Sequence, residues 1–341
     1  MNQSRSVHLV GSIPLQDAAE VFSTVMKHLH SCVRRIPDGE TGIRSNWIMW
    51  QRQTYENSPD FEPCVRQSEM SGLHRPYFRL REGKDPSVLK LPPLGYAREA
   101  VKSYADFSRL QGEGTIPPDV RFQVSLPTAV PLVTTFVAAE QRAEVEPAIE
   151  AALKHEVDEI VREIPREKLA IQWDVAIEIV GADGGFPLYY SPAIDGSAER
   201  LHRLIEWVPS DVEVGVHLCY GDPGHKHVIE PKDLGTCITL ANKVIDGSAR
   251  PLNWIHMPVP RDRSDDAYFH PLTAFAVPRA MEVYLGLVHY TDGVPGSRRR
   301  RAAARKYLRE FGVATECGFG RRDPATVPTL LDIHRTIAME P

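Results

Sequence analysis

Near the middle of the chain, the segment GVHLCYGDPGHKH (residues 215–227) places a histidine and a cysteine two positions apart. Side chains two apart on a β-strand point to the same face, so His217 and Cys219 are predicted to lie side by side. An imidazole and a thiolate in that arrangement form half of a zinc site. A buried histidine beside a buried free cysteine is the alternative, and this pair alone does not decide between them.

A second cysteine strengthens the metal interpretation. Cys317 ends the run FGVATEC (311–317), which reads as the last strand of the chain. A Cys₂His set leaves one position of a tetrahedral zinc site for a further ligand or a substrate. Such a thiolate-rich zinc site suits a soft nucleophile such as another thiol, because the metal lowers the pKa of that thiol.

Eight short runs rich in β-branched and aliphatic residues must position these side chains. They cover residues 6–12, 32–37, 121–127, 169–176, 212–219, 252–258, 282–289 and 311–317. Runs with helical spacing lie between most of them. This alternation predicts an α/β protein, and more narrowly a closed (β/α)₈ TIM barrel. A doubly wound open sheet is the alternative, but no glycine-rich dinucleotide fingerprint follows the first run.

Residues 41–118 interrupt the alternation after the second strand with aromatic residues, prolines and at least one helical run. An insertion of this length is expected to form a lid or cap over the barrel mouth. The chain contains no internal repeat and no low-complexity tract. Residues 1–341 are therefore predicted to form a single domain with 41–118 as its insertion.

Polar residues end seven of the eight predicted strands. Polar groups in apolar strands are costly unless something satisfies them, and the carboxyl ends of barrel strands line the active site. The residues at these ends are Ser12, Asp38, Glu40, Asp174, Glu178, His217, Cys219, His256, His289, Glu316 and Cys317. We therefore expect a functional pocket at this rim.

Six segments together resemble the catalytic barrel of the cobalamin-independent methionine synthase family, in the superfamily that also holds uroporphyrinogen decarboxylase. They are HLVGSIP (8–14), PDGETGIRSNW (37–47), IQWDVAIE (171–178), HLCYGD (217–222), LVHYTDGVPGS (287–297) and ATECGFGRR (314–322). The resemblance spans nearly the whole chain. It implies a zinc-dependent methyl (alkyl) transferase that acts on a thiol, similar to a 5-methyltetrahydrofolate–homocysteine methyltransferase.

The resemblance also implies roles for individual residues. It implies His217, Cys219 and Cys317 as zinc ligands, Ser12, Glu40 and Asp174 as substrate contacts, and Asp174 and His289 as catalytic residues, with His289 as the acid. The family's fourth zinc ligand is a glutamate near the end of strand six. The sequence here is WIHMPVPRDRSDD (254–266), so His256 is proposed as that ligand, and a satisfied barrel-lining histidine is the alternative.

The family also has a tryptophan after strand three that stacks on the folate ring. The corresponding segment SLPTAVPLVTTF (125–136) has none, which argues against a folate-type methyl donor. Arg44 and His225 are further candidates for substrate binding. Asp222 and His227 follow the fifth strand in the same loop as His225, and Arg321 and Arg322 are candidates for binding an anionic substrate.

Composition limits the other function classes. The formal net charge of −5 gives no basic field for nucleic acid, and no apolar stretch is long enough to span a membrane. Five scattered cysteines do not make a disulfide framework. We therefore expect a cytoplasmic protein with reduced thiols and small-molecule substrates, and leave open whether it forms a homo-oligomer.

Two other functions are compatible with the sequence. One is a lyase or decarboxylase on the same barrel, which uses the metal as a Lewis acid or uses no metal. The other is a catalytically silent binding protein. Transfer of a methyl group to a thiol would support the first hypothesis, whereas turnover without a thiol would support the lyase.

Overall fold

The computed structural model describes residues 6–64, 76–224 and 226–340. Over these residues the chain forms a mixed α/β fold around a curled parallel sheet of seven strands, with a separate two-stranded hairpin. The strands are β1 (Arg35–Pro37), β2 (Phe61–Cys64), β3 (Tyr77–Leu80), β4 (Arg121–Pro127), β5 (Leu169–Val175), β6 (Glu213–Leu218), β7 (Trp254–Pro258), β8 (Glu282–Gly286) and β9 (Gly312–Val313). The order in the large sheet is β1-β4-β5-β6-β7-β8-β9, and each neighbouring pair is parallel.

Helices connect these strands and cover the sheet. They are α1 (Ala18–Leu29), α2 (Arg52–Glu56), α3 (Tyr96–Gly112), α4 (Ala129–Phe136), α5 (Arg142–Glu163), α6 (Ile177–Ala182), α7 (Ala193–Glu206), α8 (Gly235–Gly247), α9 (Asp266–Phe269), α10 (Gly293–Ala304) and α11 (Val327–Met339). The helical spacing in α5 has the expected result, since Ile149, Leu153, Val157 and Ile160 are all buried. Burial of such apolar stripes holds the helices against the sheet.

The first predicted strand differs from expectation. Residues 6–12 form isolated parallel bridges instead of a regular strand, with Val7 bridging both Val33 and Val313. Over the described residues the sheet therefore has seven strands and is a half-barrel. The closed eight-stranded barrel that was predicted is not formed over these residues. The α/β class and the parallel sheet are confirmed.

Side chains from the sheet interior bond to the backbone of residues 6–12. The amide of Gln123 donates to the carbonyl oxygens of Leu9 and Val10 at 3.1 and 3.0 Å. The amide of Gln172 also donates to Val10, at 2.6 Å. These carbonyl groups thus bond to glutamine side chains, which satisfies them without a backbone ladder.

The insertion at 41–118 contains α2, α3 and the antiparallel hairpin of β2 and β3. Residues 46–49 of this insertion line the larger of the two cavities described below. That placement agrees with a cap over the site. Movement of the segment as a lid stays a prediction.

A buried ion network closes the opposite end of the sheet, where the strands begin. Arg35 is 4% exposed, and its guanidinium contacts the carboxylates of Glu213 at 2.5 Å and Glu282 at 2.8 Å. The same guanidinium lies 4.1 Å from the ring centroid of Trp254. This end is therefore filled by paired charges, and the cavities lie at the carboxyl end of the strands.

Candidate metal centre and adjoining cavities

Three predicted ligands meet at the carboxyl ends of the strands. The candidate ligand atoms of His217, Cys219 and Cys317, which we call the His-Cys-Cys cluster, all lie within 4.8 Å of one another. His217 lies in β6, Cys219 directly follows that strand, and Cys317 follows β9. Both cysteines are free thiols. The predicted meeting of these three residues is confirmed, and the cluster could hold a metal ion.

His256 lies behind His217 and not among the three ligands. Its Nε2 is 3.0 Å from the carbonyl oxygen of Thr315, and its Nδ1 is 2.6 Å from Nδ1 of His217. Both of its ring nitrogens are therefore engaged. The structure does not support His256 as the fourth ligand, because both of its ring nitrogens have partners and it is not among the residues whose ligand atoms converge.

These contacts determine which nitrogen of His217 is available to a metal. Burial lowers the pKa of His217 and lowers that of His256 to about 3, so both rings are neutral at pH 7. Since the carbonyl of Thr315 can only accept, Nε2 of His256 carries the proton and its Nδ1 accepts from Nδ1–H of His217. The Nε2 lone pair of His217 is thereby left available as a ligand.

The two thiols of the cluster interact directly. A hydrogen bond between them lowers the pKa of Cys317 and raises the pKa of Cys219, and burial raises the pKa of Cys219 further. The backbone N–H of Gly221 also lies 3.2 Å from Cys219 Sγ. Cys317 is thus the thiol that ionises first, as a pair that shares one proton does.

A cavity of about 670 Å³ adjoins the cluster and is lined by Glu40 and Asp174. Burial raises the pKa of both carboxyls, and the neighbouring Asp174 helps to raise that of Glu40 to about 8. Arg44 and Arg321 partly offset this rise for Glu40, and a bound cation between the two carboxyls would let both ionise more readily. The cavity therefore favours a ligand that carries a positive group beside its apolar part.

Trp47, from the insertion, also lines this cavity, and its side chain acts to lower the pKa of Asp174. Its backbone lies in the left-handed region at φ 47°, which is unusual for a bulky residue. Sequence reasoning assigned Trp47 no role. Its position depends on how the insertion folds back over the strand ends, which no local pattern shows.

Ser12 and Arg44, both predicted to bind substrate, have partners within the protein. The hydroxyl of Ser12 lines the cavity and accepts from the N–H of Gly320 at 3.2 Å, which ties down the loop that follows Cys317. The guanidinium of Arg44 bonds to Asp38 at 2.9 Å. His225 lies outside the described residues.

His289 is buried beside a second cavity of about 610 Å³. Its Nε2 is 2.9 Å from the carbonyl oxygen of Val259, and burial lowers its pKa to about 3. The ring is therefore neutral at pH 7. This geometry does not favour His289 as a cationic acid.

His227, whose role the sequence left open, has the properties of a general acid. It lines both cavities, and its ring nitrogens lie 3.1 Å from Glu230 and 3.1 Å from Glu316. Although burial lowers its pKa, these two carboxylates raise it to about 9. The GHKH loop was a visible signal, but the pairing with Glu316 depends on β6 and β9 ending at the same rim.

Comparison of the sequence with protein-family models and with curated proteins gives no match. No helix within the described ranges combines the length and apolarity that a membrane crossing requires. A function for this protein is therefore inferred from the residues of the site.

Proposed function

We propose that this protein is a zinc-dependent transferase that moves a methyl or other alkyl group to a thiol substrate. The observation that carries this proposal is the His-Cys-Cys cluster at the wall of an acid-lined cavity. Two thiols and an imidazole with a free Nε2 lone pair are a donor set that suits zinc, and three protein ligands leave a position for the substrate. When bound, zinc would hold the substrate thiol as a thiolate at neutral pH.

The carboxyl groups that line the larger cavity favour a substrate thiol that also carries an ammonium group, such as an amino acid of the homocysteine type. Glu40 and Asp174 would bind that ammonium as a pair, because its charge lets both carboxyls ionise. Trp47 and the apolar lining would exclude water from the carbon chain. The substrate sulfur would then lie beside the cluster.

The transfer itself forms one bond and breaks one. The thiolate sulfur bonds to the alkyl carbon of the donor, and the bond between that carbon and its leaving group breaks with the electron pair on the leaving group. His227 is the residue we assign to protonate that group, because it is protonated at pH 7 and lines both cavities. This replaces His289 as the acid.

We also propose that residues 6–12 act as an eighth strand that completes the half-barrel. The parallel bridges of Val7 to Val33 and to Val313, on the two edge strands, support this. Slow amide hydrogen exchange at Val7 and His8 would agree with it, because both N–H groups bond to neighbouring backbone. Exchange as fast as in an exposed loop would contradict it.

The decisive experiment measures metal by mass spectrometry on untagged protein and on the variants Cys219→Ala and Cys317→Ala. We expect about one zinc per chain in the natural protein and little in either variant. Cys237→Ala is the matched control, because Cys237 is a fully buried free cysteine of α8 outside the cluster. This control should retain the metal.

Activity is then assayed with homocysteine and simple thiols against several alkyl donors, a methylated folate among them. Methyl transfer that requires both thiol and zinc supports the proposal. Absence of metal in folded protein, with Cys219→Ala still active, would refute it. Turnover of a substrate without any thiol would instead favour the lyase or decarboxylase.

A further inference from the structure

The second cavity, lined by His289 and Arg322, lies on the other side of Cys317 from the acid-lined cavity. Cys317, Gly318, Asp222 and His227 line both cavities. Cys317 thus borders two adjoining cavities of about 670 and 610 Å³, whereas His217 and Cys219 line only the acid-lined one. Two substrates that react at one sulfur need such an arrangement.

The acids that face the second cavity have cationic partners. Asp222 accepts from Arg321 at 2.6 Å, and Glu316 pairs with His227 at 3.1 Å. His227 also pairs with Glu230. His227 thus carries one charge between two carboxylates, whereas Asp222 has a cation of its own. The cavity lining balances this, since it also includes Lys226, Arg261, Arg263 and Arg322.

A further ion pair, which is exposed to solvent, also lines this cavity. The carboxylate of Asp262 bonds to Arg261 at 3.2 Å. Both side chains are well exposed, so this pair contributes little field to the interior of the cavity.

Arg322 is the cation whose hydrogen-bonding capacity is left over. Arg322 lines the second cavity, and its guanidinium makes no hydrogen bond or salt bridge to the other described residues. Burial lowers the pKa of Arg322, although the nearby carboxylates of Asp222 and Glu316 act to raise it. A guanidinium on a cavity wall without such partners can donate charge-assisted hydrogen bonds to an oxyanion that enters the cavity.

We propose that the second cavity binds an oxyanion (a carboxylate, phosphate or sulfonate) of the alkyl donor, with Arg322 as the residue that recognises it. The inference rests on the proposed transferase function, and it assigns opposite charges to the two substrates. The thiol brings an ammonium group to Glu40 and Asp174, and the donor brings an anion to Arg322. The alkyl carbon then lies between the cavities, at Cys317.

The test is isothermal titration of the zinc-loaded full chain with inorganic phosphate, methanesulfonate and acetate. At least one of these anions should bind, and the strongest identifies the class of oxyanion. Arg322→Ala should weaken that binding roughly 10- to 100-fold, which is the effect of losing hydrogen bonds to a charged group. Arg322→Lys should fall between, because it keeps the charge and loses the planar fork.

Arg279→Ala is the matched control, since Arg279 is exposed and lines neither cavity. Repeating the titration with Cys219→Ala separates this inference from the proposed function. Phosphate binding that persists without metal and depends on Arg322 supports the anion site even if zinc chemistry fails. Binding that disappears with the metal, or that Arg322→Ala and Arg279→Ala reduce equally, overturns the assignment, as does absence of binding by all three anions.

Discussion

Replacement of His256 by leucine tests the hydrogen-bond relay behind the His-Cys-Cys cluster. In the natural protein the carbonyl of Thr315 fixes the proton on Nε2 of His256, whose Nδ1 then accepts from His217 at 2.6 Å. A metal bound at Nε2 of His217 requires the proton on Nδ1, facing position 256. With His256→Leu, that buried N–H has no acceptor.

The substitution destabilises the zinc-bound protein more than the zinc-free protein, so it lowers the affinity for zinc. Without metal, His217 can move its proton to Nε2 and direct it into the cavity, so the free protein avoids the unsatisfied donor. An unsatisfied buried donor costs about 1–3 kcal/mol, which corresponds to roughly 5- to 150-fold in zinc affinity. Residues behind a metal ligand typically contribute about 10- to 100-fold. We therefore expect a loss in this range.

The assay is competition for zinc with a chromophoric chelator at pH 7. His256→Asn should retain most of the affinity, because its Oδ1 can accept from His217 Nδ1–H. His334→Leu is the control, since His334 is a buried histidine of α11 bonded to the carbonyl of Leu330. Natural affinity in His256→Leu would refute the relay. Complete loss in both His256 variants, as in His217→Ala, would restore His256 as a ligand.

Three further predictions concern stability. Burial raises the pKa of Glu40 from 4.5 to about 8. Between these two values the folded protein keeps a proton that the unfolded chain has lost. The free energy of unfolding therefore falls as pH rises from about 5 to about 8. Glu40→Gln should flatten this decline in denaturant titrations, and an equally steep fall would refute the assignment. Gly215→Ala would place a methyl 2.1 Å from the ring of Trp254 and should lower the free energy of unfolding by about 2 kcal/mol or more. Gly112→Ala is the control, because its methyl meets nothing within 4 Å, and in the same titrations it should leave the free energy of unfolding unchanged or raise it. Arg35→Ala should lower the free energy of unfolding by about 1–3 kcal/mol, because it removes the buried cation that Glu213 and Glu282 share. Each carboxylate keeps one other cationic partner, Arg121 for Glu213 and Arg34 for Glu282, and an unchanged thermal midpoint would show that Arg35 contributes little.

The α/β class could be predicted from the sequence because buried parallel strands and amphipathic helices each leave a local pattern. The runs that became β4, β5 and β6 were placed within a residue or two of their observed bounds. The first run, residues 6–12, has the same composition but forms only isolated bridges. Its carbonyl groups bond to Gln123 and Gln172, and those glutamines come from strands far along the chain.

Part of the candidate site could likewise be predicted from the sequence. His217 and Cys219 could be paired from the sequence because the strand period of two puts them on one face. Cys317 could be added because parallel strands end at a common rim. The resemblance to a known family implied the same three residues, and the structure brings them together.

The sequence by itself determined which side chains reach the rim, because strand period and strand direction are local properties. Only the tertiary structure decided what each of them does there. Register across β6 and β7 put His256 behind His217, and burial made His289 neutral while two carboxylates keep His227 charged. Hydrogen-bond partners and local dielectric depend on residues from separate strands and loops, so they exist only once the chain has folded.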